Sequence, residues 1–273
     1  MEPIHWNADP VIVMLFDHFP LKYYGILFMT GVALGYLFVR KAFLKAGKSL
    51  EELDALGMYI FVGIVLGARL GHCLFYEPDY FLSRPLEMLL PIQKIDGSYH
   101  FTGYLGLASH GGTLGVFLAI LLYYKKYKIN IWWLLDQIAL VGPLTGAFIR
   151  IGNFMNSEIL GKPTNGNFGV IFERVDQIPR HPAQLYEAAV YLLIFVFLQW
   201  LNRNHPKPNG FLFGLVLSLV FSARFFIEFF KINQVNFEEG MFLNMGQLLS
   251  IPIVLVGVIT VFFKRRNRLA VIK

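Results

Sequence analysis

Seven long apolar stretches constrain this chain more than any other feature of its sequence. Each is close in length to the roughly 20 predominantly apolar residues that a helix needs to cross the hydrocarbon core of a bilayer. The chain is 56% hydrophobic, whereas a typical soluble domain is about 45–50% apolar. The sequence therefore predicts an all-α polytopic membrane protein of about seven transmembrane helices, folded as a single transmembrane domain over 1–273. The stretches are 21–40, 54–76, 104–124, 131–149, 184–201, 210–230 and 247–263.

Basic residues in the connecting segments predict the orientation. More than half of the 24 Lys and Arg lie in four short segments or at the adjoining Arg40. Because short cytoplasmic loops carry an excess of Lys and Arg, these segments are expected to face the cytoplasm. The N-terminus is then outside, the C-terminus is cytoplasmic, and no nucleic-acid partner is needed to explain the net charge of +6. The basic segments are 41–53, 125–130, 202–209 and 264–273, and the outward loops are about 77–103, 150–183 and 231–246.

Charged and polar residues within the apolar stretches mark the candidate site, because such groups are costly in a membrane and are functional by default. The predicted orientation puts Arg69, Arg150 and Arg224 near the outer ends of their stretches. It puts His110 in the outer part of the third stretch and Tyr24 at the outer start of the first. We therefore expect a site that is open to the outer leaflet, with the segment 150–183 as a small outward-facing cap.

Arginine is the side chain best suited to a phosphate, since its planar guanidinium stays charged and can bind two oxygens. Several arginines at headgroup depth therefore predict an anionic lipid ligand. Snorkelling to the interface is an alternative for each of them, and for Arg69 it has equal weight. Arg224 and Glu228 are four residues apart on one helix face and are expected to pair. That pair either belongs to the site or only neutralises a buried charge.

His110 is followed by Gly111 and Gly112, which would leave room for a substrate. A histidine titrates near neutrality and suits a general base, although a hydrogen-bonded structural role is the alternative. Asp136 lies towards the cytoplasmic end of its stretch and is interpreted as structural. Cys73 is the only cysteine, so no intramolecular disulfide is possible. The sequence lacks metal-ligand spacings such as His-Glu-x-x-His, and we expect no metal and no cofactor.

Five motifs occur along the chain in the order given at the end of this paragraph. Together they resemble those of bacterial prolipoprotein diacylglyceryl transferases. The resemblance covers nearly the whole chain, from Tyr24-Gly25 to the last apolar stretch. The combination is specific, although each motif alone is modest. The motifs are His110-Gly111-Gly112, the run from Arg150 to Gly161 with Asn153, Asn156 and Glu158, the run Arg180-His181-Pro182-Ala-Gln184-Leu-Tyr186-Glu187, the pair Arg224 and Glu228, and Met245-Gly246-Gln247.

The resemblance implies an enzyme of the bacterial cytoplasmic (inner) membrane with its active site facing the outer leaflet. Such an enzyme transfers the diacylglyceryl group of phosphatidylglycerol to the lipobox cysteine thiol of a prolipoprotein, forming a thioether and releasing glycerol phosphate. The implied partners are phosphatidylglycerol, the prolipoprotein signal peptide with its lipobox cysteine, and membrane lipid. The implied catalytic residues are His110, Arg150, Arg224 and Tyr24. The implied phosphatidylglycerol-binding residues are Arg150, Asn153, Glu158, Gly161, Arg224, Glu228, Gly111 and Gly112.

Two roles for His110 stay open at this point: it takes the thiol proton, or an arginine-rich field alone lowers the thiol pKa. Rival functions are an anionic-lipid carrier or transporter without chemistry, and an intramembrane protease. Transporters often contain repeats with broken spans at matched positions, and the sequence has no convincing pair. A protease would need a metal motif, a Ser-His pair or an Asp pair within spans. Without the resemblance, the residues leave enzyme and carrier open.

Overall fold

A computed structural model describes residues 2–16, 19–95, 97–103, 106–166, 168–205, 207–233, 238 and 240–271. Several predicted positions lie outside these ranges, among them residues 104–105 of the third stretch and 234–237 and 239 of the third outward loop. The helices are α1 (Tyr23–Lys45), α2 (Leu50–Phe75), α3 (Pro78–Leu82), α4 (Pro85–Leu89), α5 (Ser109–Tyr127), α6 (Ile131–Met155), α7 (Ala183–Asn204), α8 (Phe211–Ile227, then a 3-10 turn Glu228–Phe230) and α9 (Met245–Val271). The strands are β1 (Ile4–Trp6), β2 (Val11–Leu15), β3 (Phe19–Lys22), β4 (Ile92–Ile95), β5 (Ser98–Phe101), β6 (Val170–Phe172) and β7 (Pro179–Arg180).

Six helices in the described part of the chain are long and apolar enough to cross a membrane: α1, α2, α6, α7, α8 with its 3-10 turn, and α9. Large apolar side chains such as Phe61, Leu193 and Phe262 are exposed by more than 60% on these helices, as expected where lipid takes the place of water. The chain is thus a mostly helical, multi-pass membrane protein. The third predicted stretch falls on α5, which carries His110 near one end and Lys125 and Lys126 near the other.

The chain divides into two compact units. The small unit comprises Ala42–Ile131, and the large unit comprises Met1–Lys41 and Trp132–Lys273. In the small unit, α2 packs on α5 through glycines. A Cβ atom added to Gly63, Gly67 or Gly115 would come within 3 Å of backbone atoms of the facing helix. Small residues four apart allow this approach, which is how helices associate in lipid without a hydrophobic driving force.

The large unit has its core between α6, α7 and α8. Its buried members include Leu140, Ala147, Leu198 and Val216. The carboxylate of Asp136 on α6 accepts hydrogen bonds from the backbone N–H groups of Gly210 and Phe213, each at 2.7 Å. These N–H groups at the start of α8 have no partner within the helix. Asp136 therefore caps α8, in agreement with the structural role predicted for it.

A small three-stranded sheet lies in the large unit and connects the end of α6 to the start of α7. In this sheet β6 pairs in parallel with β1 and antiparallel with β7. Phe154, Leu160 and Phe172 form a buried cluster beneath it. The prediction of an all-α protein missed these strands. They contain only two to three residues each, and a search for long apolar runs cannot detect segments of that length.

Helix α6 also continues beyond its predicted end. The apolar stretch stops at Ile149, but the helix runs to Met155. Its last turns carry Arg150 and Asn153, which were predicted at the start of a loop. The helix can continue because these polar side chains have partners within the protein: Asn153 is only 5% exposed and hydrogen-bonds to neighbouring side chains.

Candidate active site

A chain of four alternating charges lies where the ends of three helices meet in the large unit. Arg150 Nε lies 2.9 Å from Glu187 Oε2. The same oxygen lies 3.0 Å from Lys231 Nζ, and Lys231 Nζ lies 3.1 Å from Glu228 Oε2. Arg150 comes from the end of α6, Glu187 from the start of α7, and Glu228 and Lys231 from the segment after α8. The three helix ends are thereby joined by ion pairs.

Because this charged cluster is buried, each of its ions needs a partner of opposite charge. The side chains of Glu187, Lys231 and Glu228 are 0%, 2% and 5% exposed. A buried ion costs several kcal/mol unless a partner compensates it, and removing one partner of a buried pair costs about 3–5 kcal/mol. Here each carboxylate contacts at least one cation, and the Tyr191 hydroxyl also donates to Glu187 Oε1 at 3.3 Å. The cluster can persist in the low-dielectric interior because its charges alternate.

Asn153 connects Arg150 to Glu158. Arg150 Nη1 donates to Asn153 Oδ1 at 3.3 Å, and Asn153 Nδ2 donates to Glu158 Oε2 at 3.3 Å. Asn156 Nδ2 donates to the other carboxylate oxygen of Glu158 at 3.0 Å. Arg150 thus uses Nε on Glu187 and Nη1 on Asn153. Its second terminal nitrogen, Nη2, makes no hydrogen bond or ion pair with the described residues.

Arg224 does not pair with Glu228, so that prediction was wrong. The α-helical geometry of α8 ends at Ile227, and Glu228 begins a 3-10 turn that directs its carboxylate to Lys231. Among the described residues, no ion pair or hydrogen bond joins Arg224 to Glu228. Arg224 lies in the last turn of α8, in the same compact unit as Arg150. Arg150 and Arg224 thus both lie at helix ends that the charged cluster joins.

Tyr24, the second residue of α1, lies against the end of α6. A Cβ atom on Gly152 would come within 2.8 Å of the Tyr24 ring and 3.2 Å of its backbone. Gly152 is thus the residue that lets the Tyr24 ring approach the turn of α6 that holds Arg150 and Asn153. Tyr24 and the predicted arginine are brought to one region of the large unit.

Gly161 allows three chain segments to meet beside the cluster. A Cβ atom at Gly161 would overlap the His181 carbonyl group. Gly161 also forms a β-bridge with Lys231, and its carbonyl accepts from Arg180 Nη1 at 3.4 Å. Arg180 is itself held by Asp176, with 2.6 Å between Nη2 and Oδ2. These hydrogen bonds from Arg180 hold the pKa of the Asp176 carboxyl group below its usual value.

The start of α9 packs on the other side of the cluster. A Cβ atom at Gly246 would lie 2.7 Å from the carboxylate carbon of Glu228. The Met245-Gly246-Gln247 motif therefore supplies the space in which Glu228 turns toward Lys231. The absence of a side chain at Gly246 is what this arrangement requires.

Arg69 is a structural residue of the small unit. It is 5% exposed, and its guanidinium group donates to three backbone carbonyl groups: those of Met88, Glu87 and Gly106. Its neighbour His72 lies with Nε2 3.3 Å from Glu77 Oε1, and both line a polar cavity of about 290 Å³. The burial of Arg69 and its backbone partners argue against snorkelling as the explanation for this arginine.

His110 lies in the first turn of α5 in the small unit, and its side chain is exposed. Within the described residues it makes no hydrogen bond or ion pair. The next residue, Gly111, faces α2, where a Cβ atom would overlap Gly67 and Gly71. The lack of a side chain at Gly111 is therefore accounted for by helix packing. Gly112 contacts Ala68 with ordinary spacing.

Glu187 and Lys231 were missed as members of the candidate site. Glu187 closes the run that begins at Arg180, and Lys231 follows Glu228 by three residues. An acidic residue in an apolar helix was the available signal for Glu187, because such groups are rarely placed in spans without a function. Lys231 gave no such signal, since it follows the predicted end of its span.

Among the described residues, no three His, Cys, Asp or Glu side chains are grouped to hold a metal ion.

Comparison with known proteins identifies the family of this chain. A family profile described as prolipoprotein diacylglyceryl transferase matches residues 10–263. The phosphatidylglycerol–prolipoprotein diacylglyceryl transferase of Bacteroides fragilis is 47% identical over 268 residues, covering 97% of this chain and 96% of the relative. The protein of that name from Tolumonas auensis is 48% identical over 267 residues, covering 97% and 99%. That from Chloroherpeton thalassium is 41% identical over 262 residues, covering 95% and 93%. The chain belongs to the prolipoprotein diacylglyceryl transferase family.

Proposed function

We propose that this protein transfers the diacylglyceryl group of phosphatidylglycerol to the lipobox cysteine of a prolipoprotein. The observation that carries the proposal is Arg150, whose Nε is bound by a fully buried carboxylate while its terminal edge is only partly engaged. Such a guanidinium is suited to bind a phosphate oxygen. The names of relatives that are 47–48% identical over nearly the full chain supply the substrates.

The reaction exchanges one bond for another at a glycerol carbon of the donor. The cysteine sulfur forms a bond to this carbon as the bond from carbon to phosphate oxygen breaks. The electron pair leaves with glycerol phosphate, and the thiol proton passes to a base. The thiolate is the nucleophile, and a free thiol has a pKa of about 8.5. The protein must therefore promote loss of the proton and stabilise the leaving phosphate.

Arg150 and Arg224 are the proposed phosphate ligands. Positive groups fixed where negative charge develops lower the reaction barrier more than any other device in many enzymes, and one donor is commonly worth about 10²–10³ in turnover. Asn153 and Tyr24 would hydrogen-bond the headgroup, and Glu158 would hold Asn153 through the bond already present. Glu228 would act through Lys231, and Gly161 would keep the surrounding segments close.

His110 is the proposed acceptor of the thiol proton. A neutral imidazole has one ring nitrogen that can accept a proton. The exposed side chain has no partner to occupy its ring nitrogens within the described residues. Gly112 would leave space beside it for phosphatidylglycerol, whereas the lack of a side chain at Gly111 serves the packing against α2. The alternative, an arginine field that alone lowers the thiol pKa, needs no titratable base and is distinguished by the pH profile of a His110 variant.

We further propose seven spans, with α5 as the seventh. Its 19 residues extend about 28 Å, against about 30 Å for the hydrocarbon core. Helix α5 packs along α2 through glycines. If α2 spans the membrane, α5 lies beside it in the bilayer. The basic connections support an outside N-terminus and a cytoplasmic C-terminus. In this topology the ends of α6 and α8 face the outer leaflet of the inner membrane, where a signal peptide presents its lipobox cysteine.

The test uses purified protein in detergent, phosphatidylglycerol and a lipobox peptide, with mass spectrometry of the peptide. We expect a mass gain of one diacylglyceryl group. The gain must be absent when the peptide cysteine is replaced by serine. A folded protein that binds the lipid but gives no gain would contradict the proposal and favour an anionic-lipid carrier.

A further inference from the structure

Glu187 occupies an unusual position for a carboxylate in a membrane-spanning helix. It is fully buried, and a single oxygen, Oε2, contacts both Arg150 Nε and Lys231 Nζ. Its other oxygen accepts from the Tyr191 hydroxyl. A carboxylate with three partners, two of them cations, is fixed in place on its helix.

Glu187 contacts Arg150 at Nε and not at the two terminal nitrogens of the guanidinium group. Guanidinium has five N–H donors in a fixed plane, so a partner at Nε determines how the terminal nitrogens are directed. Glu187 Oε2 lies 2.9 Å from Nε in an ion pair that lacks hydrogen-bond geometry, and Asn153 accepts a hydrogen bond from Nη1. Together they hold the guanidinium group at two of its nitrogens and leave Nη2 without a hydrogen bond among the described residues. A bidentate Glu187 on the terminal nitrogens would instead occupy the groups that a phosphate needs.

We propose that Glu187 is a positioning residue that orients Arg150 toward the donor phosphate, and that Lys231 balances the charge of Glu187. This inference rests on the proposed function. Arg150 and Lys231 carry two positive charges, and Glu187 and Glu228 carry two negative charges. The four groups are neutral together, and Arg224 in the last turn of α8 adds one positive charge to the large unit. The cluster thus presents the Arg150 guanidinium group to an anionic headgroup without leaving any buried carboxylate uncompensated.

The rival role for Glu187 is charge balance alone, and two variants separate the roles. Glu187→Gln keeps the size of the side chain but removes its charge. A misplacement of about 1 Å can cost about 10² in rate, so we expect turnover to fall about 100-fold. The KM for phosphatidylglycerol should change much less, because the lost interaction acts mainly in the transition state.

The second variant combines Glu187→Gln with Lys231→Met. It removes one negative and one positive charge and keeps the cluster neutral. We expect turnover to stay about 100-fold low, because Arg150 still lacks its partner at Nε. The melting temperature should also stay below that of the wild type, because Lys231→Met removes the cation that pairs with the buried Glu228. If the double variant regains wild-type turnover, Glu187 only balances charge and the inference is overturned. Wild-type turnover of Glu187→Gln alone would also overturn it.

Asp136→Asn is the matched control. Asp136 is another buried carboxylate on the large unit, 14 residues from Arg150 along α6 and hence about 21 Å away along the helix axis. This variant should lower the melting temperature without changing the turnover of the folded protein. Wild-type protein is assayed first with phosphatidylglycerol and the lipobox peptide. A wild type that does not transfer would contradict the proposed function, whereas an active wild type with a fully active Glu187→Gln contradicts only the role of Glu187.

Discussion

Asn153 donates its amide hydrogen to Glu158 across 3.3 Å while its amide oxygen accepts from Arg150 at the same distance. An amide can serve both neighbours because it carries a donor and an acceptor, whereas a carboxylate only accepts. Asn153→Asp therefore brings two carboxylates together and leaves the bond to Glu158 unmade. We expect a loss of stability of about 1–3 kcal/mol and a fall in turnover of at least about tenfold. Thermal melting and the peptide mass assay measure the two effects.

Asn156→Ala is the control for this change. Asn156 also donates to Glu158, at 3.0 Å, but it makes no contact with Arg150 among the described residues. Its removal should leave turnover within a few-fold of the wild type. If both variants lose activity equally, the bond between Asn153 and Arg150 is not the one that matters.

Arg150→Lys preserves the charge but removes Nε and the planar fork. A lysine ammonium is a point charge and cannot hold Glu187 and a phosphate with the geometry of guanidinium. We expect turnover of the folded variant to fall by about 10²–10³, the usual effect of removing one stabilising donor. Initial rates at saturating phosphatidylglycerol measure this fall. Wild-type turnover from a variant that elutes and melts like the wild type would contradict a directional role for the guanidinium group.

Local sequence patterns predicted the features that depend on residues close together in the sequence. The apolar stretches predicted the helices, and the motif positions include Arg150 and Asn153, which do lie together. The contacts between distant residues could not be predicted in this way. Glu187 meets Arg150 from another helix, and the pairing of Lys231 with Glu187 depends on how α8 ends. The interpretation of Arg224 and Glu228 failed for the same reason, since spacing of four residues implies pairing only while the α-helix continues.

Arg69 illustrates a second limit. Its position near a helix end was compatible with a lipid headgroup or with snorkelling. The structure instead gives it the backbone carbonyl groups of Met88, Glu87 and Gly106 as partners. Carbonyl groups belong to every residue, so no residue type in the sequence marks them as partners. A buried arginine held by the backbone can therefore be identified only from three-dimensional coordinates.

Asp136→Asn is expected to destabilise the protein without impairing the chemistry. The carboxylate accepts from Gly210 and Phe213 at 2.7 Å each. Asparagine has one acceptor oxygen, so one of the two N–H groups would face an amide NH₂ group instead. A buried donor without a partner costs about 1–3 kcal/mol. Thermal melting measures the loss, and turnover of the folded fraction should equal that of the wild type. Unchanged melting would show that the cap of α8 contributes nothing.

The pair of Asp176 and Arg180 predicts a small effect of pH on stability. Hydrogen bonds from Arg180 lower the pKa of Asp176 in the folded protein. The stabilisation is therefore complete above the ordinary aspartate pKa of about 3.9 and is lost as the pH falls through the lowered value. Because Asp176 is partly exposed to solvent, the effect should not exceed about 1 kcal/mol. The difference in melting temperature between wild type and Asp176→Asn should be present at pH 7 and shrink in strong acid. A difference that persists unchanged in acid would exclude the ion pair as its source.

His110→Gln tests whether a titrating base takes the thiol proton. Glutamine can still hydrogen-bond but cannot accept a proton in this pH range. If His110 is the base, turnover should fall by about 10²–10⁴, the usual contribution of a positioned acid or base. Any limb of the wild-type pH profile that comes from titration of this side chain should also disappear. The remaining activity should rise with pH as more of the peptide thiol ionises in solution, because the thiol pKa is about 8.5. Near-normal turnover of His110→Gln from pH 6 to 9 would exclude the base role and assign activation of the thiol to the field of the arginines.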